Sequence, residues 1–127
     1  MPLYGLARSE FPTVIALTAS ATQALDQHGV WFTNRGASGA VVLTLPPVTG
    51  LPVGFGGRLT IVADQTVTIA SNGSLDNIIG FNDAAADSIA FSTAAEKLGN
   101  TVEWCWDGTS WLLAVSLAAE TATPTYA

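Results

Sequence analysis

The sequence predicts an all-β chain, an antiparallel β-sandwich or jelly-roll-like barrel with extended terminal arms, on three observations. No stretch sustains a 3.6-residue apolar period, so helix is limited to a few turns. Apolar runs rich in Val, Ile, Thr and aromatic residues recur along the chain, each closed off by Gly, Pro, Asn, Asp or Ser. At 127 residues the chain is of one-domain size, large enough for a core of its own.

The elements follow in order. Residues 1–12 carry Pro2, Gly5 and Pro12 among Leu3, Tyr4, Leu6 and Phe11, which suits an extended N-terminal arm rather than a helix. A β-domain is expected over 13–116. Val14, Ile15 and Leu17 open it, residues 18–26 read as a polar turn or one helical turn, and Val30 to Thr33 is the next strand, ended by Asn34-Arg35-Gly36. Ala40 to Leu45 is an apolar run with β-branched members, Thr44 among them, as a strand buried on both faces would be, and Pro46-Pro47 stops it. After a Gly-rich loop anchored by Phe55, Arg58 to Ala63 and Thr66 to Ala70 alternate, with Asp64-Gln65 as a tight hairpin between them. Asn77 to Phe81 and Ser88 to Ser92 are short strands around the small-residue loop 82–87, where a helical turn is the other option. The clearest signal is the last hairpin: Val102, Trp104 and Trp106 share one face, Asp107-Gly108-Thr109-Ser110 turns the chain, and Trp111, Leu113 and Val115 return. Residues 117–127 read as a flexible tail. No internal repeat argues for a solenoid.

Composition narrows the function classes. Charged residues are 11% of the chain, against about 25% in an ordinary soluble domain, while hydrophobic residues reach 49%. A small domain has much surface per residue, so such a chain either has a neutral polar surface or is covered by partners. The net charge of −6 disfavours nucleic acid, whose phosphates seek cations. No apolar run approaches the ~20 residues of a spanning helix, and the first ten residues lack a secretory pattern, so no membrane partner and synthesis in the cytoplasm are expected. One cysteine, Cys105, rules out an intrachain disulfide.

Residues that could carry chemistry are few. His28 is the only histidine and lies in the turn Asp26-Gln27-His28-Gly29, without a nucleophile motif around it, so it reads as an exposed or capping turn residue. Cys105 reads as a buried, inert thiol. Asp76, Asp83 and Asp87, with Asn77 and Asn82, do not match the spacing of a calcium loop and read as solvated loop groups; a hydrolase would require Asp76 and Asp83 to converge in a cleft. Gly54, Gly56 and Gly57 complete no phosphate-binding motif and serve backbone geometry, and Asn72-Gly73-Ser74 reads as a turn. Of the tryptophans, Trp104 and Trp106 belong to the core by their shared face with Val102. Trp111 beside the turn is the candidate exposed member, and Trp111 or Trp31 could stack on sugar. No catalytic, cofactor or metal residue is expected, and the chain is read as a non-enzyme.

The order of segments resembles a β-rich module of tailed-phage virion proteins. The resemblance is carried by Leu17-Thr18-Ala19-Ser20, His28 to Asn34, Val41 to Pro46, Val67-Thr68-Ile69 and Trp106-Asp107-Gly108-Thr109-Ser110-Trp111, and spans about residues 13 to 116. Such modules occur in tail fibres and as free-standing capsid decoration, or cement, proteins, commonly homotrimers. The resemblance therefore implies a virion structural protein on the capsid surface, with itself and the major capsid protein as partners; the alternative is a tail-fibre or receptor-binding, carbohydrate-binding module. Tyr4, Leu6 and Phe11, apolar and ahead of the first strand, are the expected contacts with the partner.

Overall fold

A computed structural model describes residues 11–94, 96–118 and 123–127. The chain is all-β, with a single 3-10 turn at Leu25–Gln27 among the described residues. Among the described residues twelve strands form two open sheets, and no barrel closes. The large sheet contains β1 (Val14–Ala16), β3 (Trp31–Thr33), β5 (Gly56–Thr60), β10 (Thr101–Trp106), β11 (Trp111–Ser116), β7 (Ile78–Gly80) and β8 (Asp83–Ala86), in that spatial order. The small sheet runs β12 (Thr125–Tyr126), β9 (Ser88–Phe91), β6 (Val67–Ala70), β4 (Val41–Thr44) and β2 (Ala21–Thr22).

The sheets are mixed, which corrects the antiparallel expectation. From β1 to β6 the chain alternates between the sheets, placing one strand in each per coil. β1, β3 and β5 are therefore parallel neighbours, as are β2, β4 and β6. This first half is a three-coil solenoid in miniature. Its coils are unequal: Val14, Trp31 and Arg58 are register partners on one side and Ala21, Leu43 and Ile69 on the other. Unequal spacing erases the sequence period by which a solenoid is recognised. Asp64-Gln65, expected as a tight hairpin, instead lies in an arch, residues 61–66, from β5 in one sheet to β6 in the other.

The second half returns mainly antiparallel, with β11 and β7 as a parallel pair. β10 pairs with both β5 and β11, and β9 pairs with β6. Residues 83–86, expected within a loop, form the edge strand β8 against β7. Thr125 and Tyr126, expected in a loose tail, pair with Ala90 and Ile89 of β9, and the Ala127 carbonyl accepts from the amides of Asp87 and Ser88.

Between the sheets lies one apolar core in which strand register sets the rows. Ile15, Phe32, Leu59, Val102 and Val115 line up across the large sheet, and Leu43, Ile69, Ile89 and Tyr126 across the small one. Trp104, Trp106 and Trp111 all point into this core, with Trp106 and Trp111 packed at a centroid distance of 5.3 Å. β4 differs from its reading as a doubly buried strand: Val41 and Leu43 are inside while Val42 is on the outer face.

Two buried amides hold the coils together, one at each side of the solenoid. Asn34, fully buried, accepts at Oδ1 from the amides of Val62 and Ala63 (2.8 and 2.9 Å) and donates from Nδ2 to the Ala63 carbonyl. It thus pins the β3–β4 corner to the β5–β6 arch. At the other side Gln23 Nε2 donates to the carbonyls of Gln27 and Gly56, and its Oε1 accepts from Trp104 Nε1 at 3.0 Å. Gly57 makes room for this meeting, since a Cβ there would lie 2.9 Å from the Trp104 ring and 3.1 Å from Gln23 Nε2.

Candidate functional site

His28, Asp83, Asp87 and Asp107 are occupied in holding turns. His28 Nδ1 accepts from the Gly56 amide at 3.0 Å, and its ring packs on Phe55, so it buttresses the loop before β5. Asp87 Oδ1 accepts from the Asp76 amide and Asp83 Oδ1 from the Ala85 amide. Asp83 caps its own turn, and Asp87 reaches back to the turn ahead of β7. Asp107 Oδ1 accepts from the amides of Thr109 and Ser110 at 2.8 and 2.7 Å, and these bonds hold its carboxyl below the usual carboxylate value. Among the described residues no group of three His, Cys, Asp or Glu side chains could hold a metal ion, and no helix is long and apolar enough to cross a membrane.

Two expectations about single residues are corrected. Trp111 is completely buried, because it points inward opposite Trp106 and beside Phe55. Cys105 is exposed, since alternation along β10 turns it away from Trp104 and Trp106. Trp31 is the tryptophan on an outer face; it is half-buried, and the Arg58 guanidinium lies 4.2 Å from its ring centre. Of the expected partner contacts, Phe11 is 70% exposed, while Tyr4 and Leu6 lie outside the described residues. Lys97 was not singled out by the sequence; it is buried against Asp64 and the Thr93 carbonyl.

What the strands do present is surface of one kind. Of all residues in the twelve strands, only Arg58, Asp83 and Glu103 are charged. The outer face of the small sheet carries Val42, Thr68, Ala90 and Thr125 in one row and Thr22, Thr44, Ala70 and Ser88 in the next, all uncharged. The outer face of the large sheet carries the row Val14, Trp31, Arg58, Glu103 and Ala114. Beside it runs the row Ala16, Thr33, Thr60, Thr101 and Ser116. Trp31 Nε1 donates to Thr60 Oγ1, which is bonded to Thr101 Oγ1, and Thr101 in turn donates to the Gly99 carbonyl. This chain of bonds fixes the indole on the sheet.

Two open hollows and one filled socket complete the surface. Leu25, His28, Pro52, Val53, Gly54 and Phe55 line a hollow of about 320 Å³ at the loop end, where Leu25 and Val53 are strongly exposed. A second, of about 250 Å³, lies over β10 and β11 between Glu103, Cys105, Leu112 and Ala114. The socket holds Tyr126, whose ring lies against Gly80 and packs edge-on to Phe81 at 5.6 Å. Its burial, and then the charge of Asp83, push the phenol up to about 12. No protein-family model matches the chain, and no curated protein matches it in sequence.

Proposed function

We propose that the chain is a virion structural protein, a capsid decoration or cement protein that associates with its own kind and binds the capsid shell. The observation that carries this reading is the near absence of charge on the strands: outer positions that normally alternate with Lys and Glu carry Thr, Ser, Ala, Val and Leu instead. Such surfaces are neutral enough to be covered at little desolvation cost. The order of segments that resembles tailed-phage modules supplies the kind of partner, the major capsid protein, and a homotrimer as the expected association. Phe11, exposed at the entry to β1, continues the apolar character of Tyr4 and Leu6 toward a neighbour.

The receptor-binding alternative calls for an aromatic ring open to a sugar. Trp111 is enclosed, and Trp31 has Arg58 against it. The test is cosedimentation of purified shells with the full-length protein and with a form lacking residues 1–10, at low and high salt. Binding by the full-length protein that survives salt, and its loss on truncation, is expected of an apolar contact. Failure of the full-length protein to sediment with shells would move the assignment to the fibre module.

A further inference from the structure

The outer face of the large sheet divides into two halves of complementary character. On the β5–β3–β1 half stand Arg58, Trp31 and Val14, and on the β10–β11–β7 half stand Glu103, Ala114, Leu112 and Ile79. Val14, Leu112 and Ile79 are 61%, 43% and 36% exposed, apolar side chains directed away from the core. The two charged residues of the face are register partners at the boundary between the halves. We propose that copies of this chain associate through this face, the β10–β11–β7 half of one copy packing on the β5–β3–β1 half of the next. The inference rests on the self-association proposed above and assigns it a surface.

Charge and size both select this face and a second copy as its occupant. When unlike halves meet, Glu103 comes opposite the next copy's Arg58, and Leu112 and Ala114 come opposite its Trp31, with Ile79 toward its Val14. Like halves meeting would oppose two cations or two anions. The hollow between Glu103, Cys105, Leu112 and Ala114 then receives the next copy's Trp31 edge. Six spacings of about 4.8 Å and strands averaging about four residues at about 3.3 Å give a face of about 29 by 14 Å. In plane this is about 400 Å², the scale of a small, low-affinity contact rather than of a standard interface. The small sheet, with five strands of at most four residues, offers about half of that. A dimer closes with both contacts and uses the whole face, whereas a ring makes one contact per neighbour and uses half of it for each.

The test compares one substitution on each face by light scattering at micromolar protein, with circular dichroism to confirm folding. Leu112→Arg should drop the mass from a multiple of 13.1 kDa to the monomer, and Thr68→Arg on the small sheet should keep the wild-type mass. An oligomer that Leu112→Arg leaves intact, or that Thr68→Arg breaks instead, overturns the assignment while self-association stands. A wild-type protein that is monomeric at every concentration removes self-association and this face with it. A second readout needs no substitution: maleimide labelling of Cys105, exposed in the single chain, should be lost as concentration rises through the association midpoint. Labelling at one rate in monomer and oligomer overturns the proposal even if the variants fail to fold.

Discussion

The two halves of the molecule meet in one core but satisfy their backbones by different means. In the solenoidal half, from β1 to β6, consecutive strands never pair with each other, so every ladder joins segments at least a full coil apart in sequence. The corners between sheets leave amides and carbonyls without a ladder partner, and a buried backbone group must find one. Asn34 and Gln23 provide partners there, each reaching from one coil to the next. In the hairpin half, β10 and β11 close their bonds on each other, and the turn needs only the exposed Asp107. The first half therefore concentrates its order in a few irreplaceable polar side chains, and the second spreads it over an apolar face.

The severest test of this contrast is Trp104→Ala, which acts on both halves at once. The indole fills the core beneath β10, and its Nε1 donates to Gln23 on the far side of the solenoid. Truncation should cost about 3 to 5 kcal/mol, lowering the melting temperature by about 10 to 20 °C. An unchanged melting temperature would contradict the core position of this side chain.

Asn34→Ala should come next, at about 2 to 3 kcal/mol, because it strips partners from two amides and a carbonyl in one corner. Native-state hydrogen exchange would separate the halves. The amides of Val62 and Ala63 should lose protection first, while those paired between β10 and β11 change only with global stability. Uniform loss across both halves would show that the solenoid and hairpin halves open as one unit.

The same contrast explains what was legible in the sequence. The β10–β11 hairpin could be read residue by residue, because its partners are adjacent and period-2 alternation names the inward side: Val102, Trp104, Trp106, Leu113 and Val115 all lie where the pattern puts them. Alternation also marked Leu59, Val67 and Ile69 as inward. It does not say which strand lies beside which. Asp64-Gln65 is turn chemistry whether the chain folds back or crosses between sheets, and the crossing is held by distant pairings and by Asn34, a residue whose own local setting looks like a surface turn. β8 was illegible because Asp83-Ala84-Ala85-Ala86 has low strand propensity; pairing to β7 overrides it. Of the outer face of the large sheet, the sequence indicated Trp31 and the lack of charge, but the row that joins Trp31 to Arg58, Glu103 and Ala114 exists only once parallel and antiparallel ladders share a sheet.

A smaller effect is expected where the chain's last strand joins the hairpin half. A Cβ at Gly80 would run into the Tyr126 hydroxyl, so Gly80→Ala should displace the ring and cost about 1 to 3 kcal/mol. The pH dependence has a definite sign. The phenol is pushed up to about 12 in the folded protein from an ordinary value of 10.0, so the folded state holds its proton after the unfolded state has released it. The contribution is complete below pH 10 and is lost as pH rises toward 12. Tyr126→Phe should remove this alkaline limb, and a limb that persists in the Phe variant would belong to other groups.

The mildest prediction concerns Asp107, the turn residue that closes the most legible part of the sequence. Its carboxylate accepts two backbone amides, from Thr109 and Ser110, and these bonds favour the charged form. Because the folded value is depressed, the stabilisation is fully present above the ordinary value of 3.8 and is lost as pH falls through the lower folded value. Asp107→Asn retains an acceptor oxygen for the same two amides but cannot titrate, so at neutral pH it should melt close to the wild type. The two proteins should differ instead in slope: below about pH 4 the wild type loses a contribution that the Asn variant never had. Thermal melts of both between pH 7 and 2 would measure the gap. A gap that stays constant over that range would mean that water screens the exposed carboxylate and that the turn backbone, with Gly108 at φ 98°, holds the hairpin without the charge.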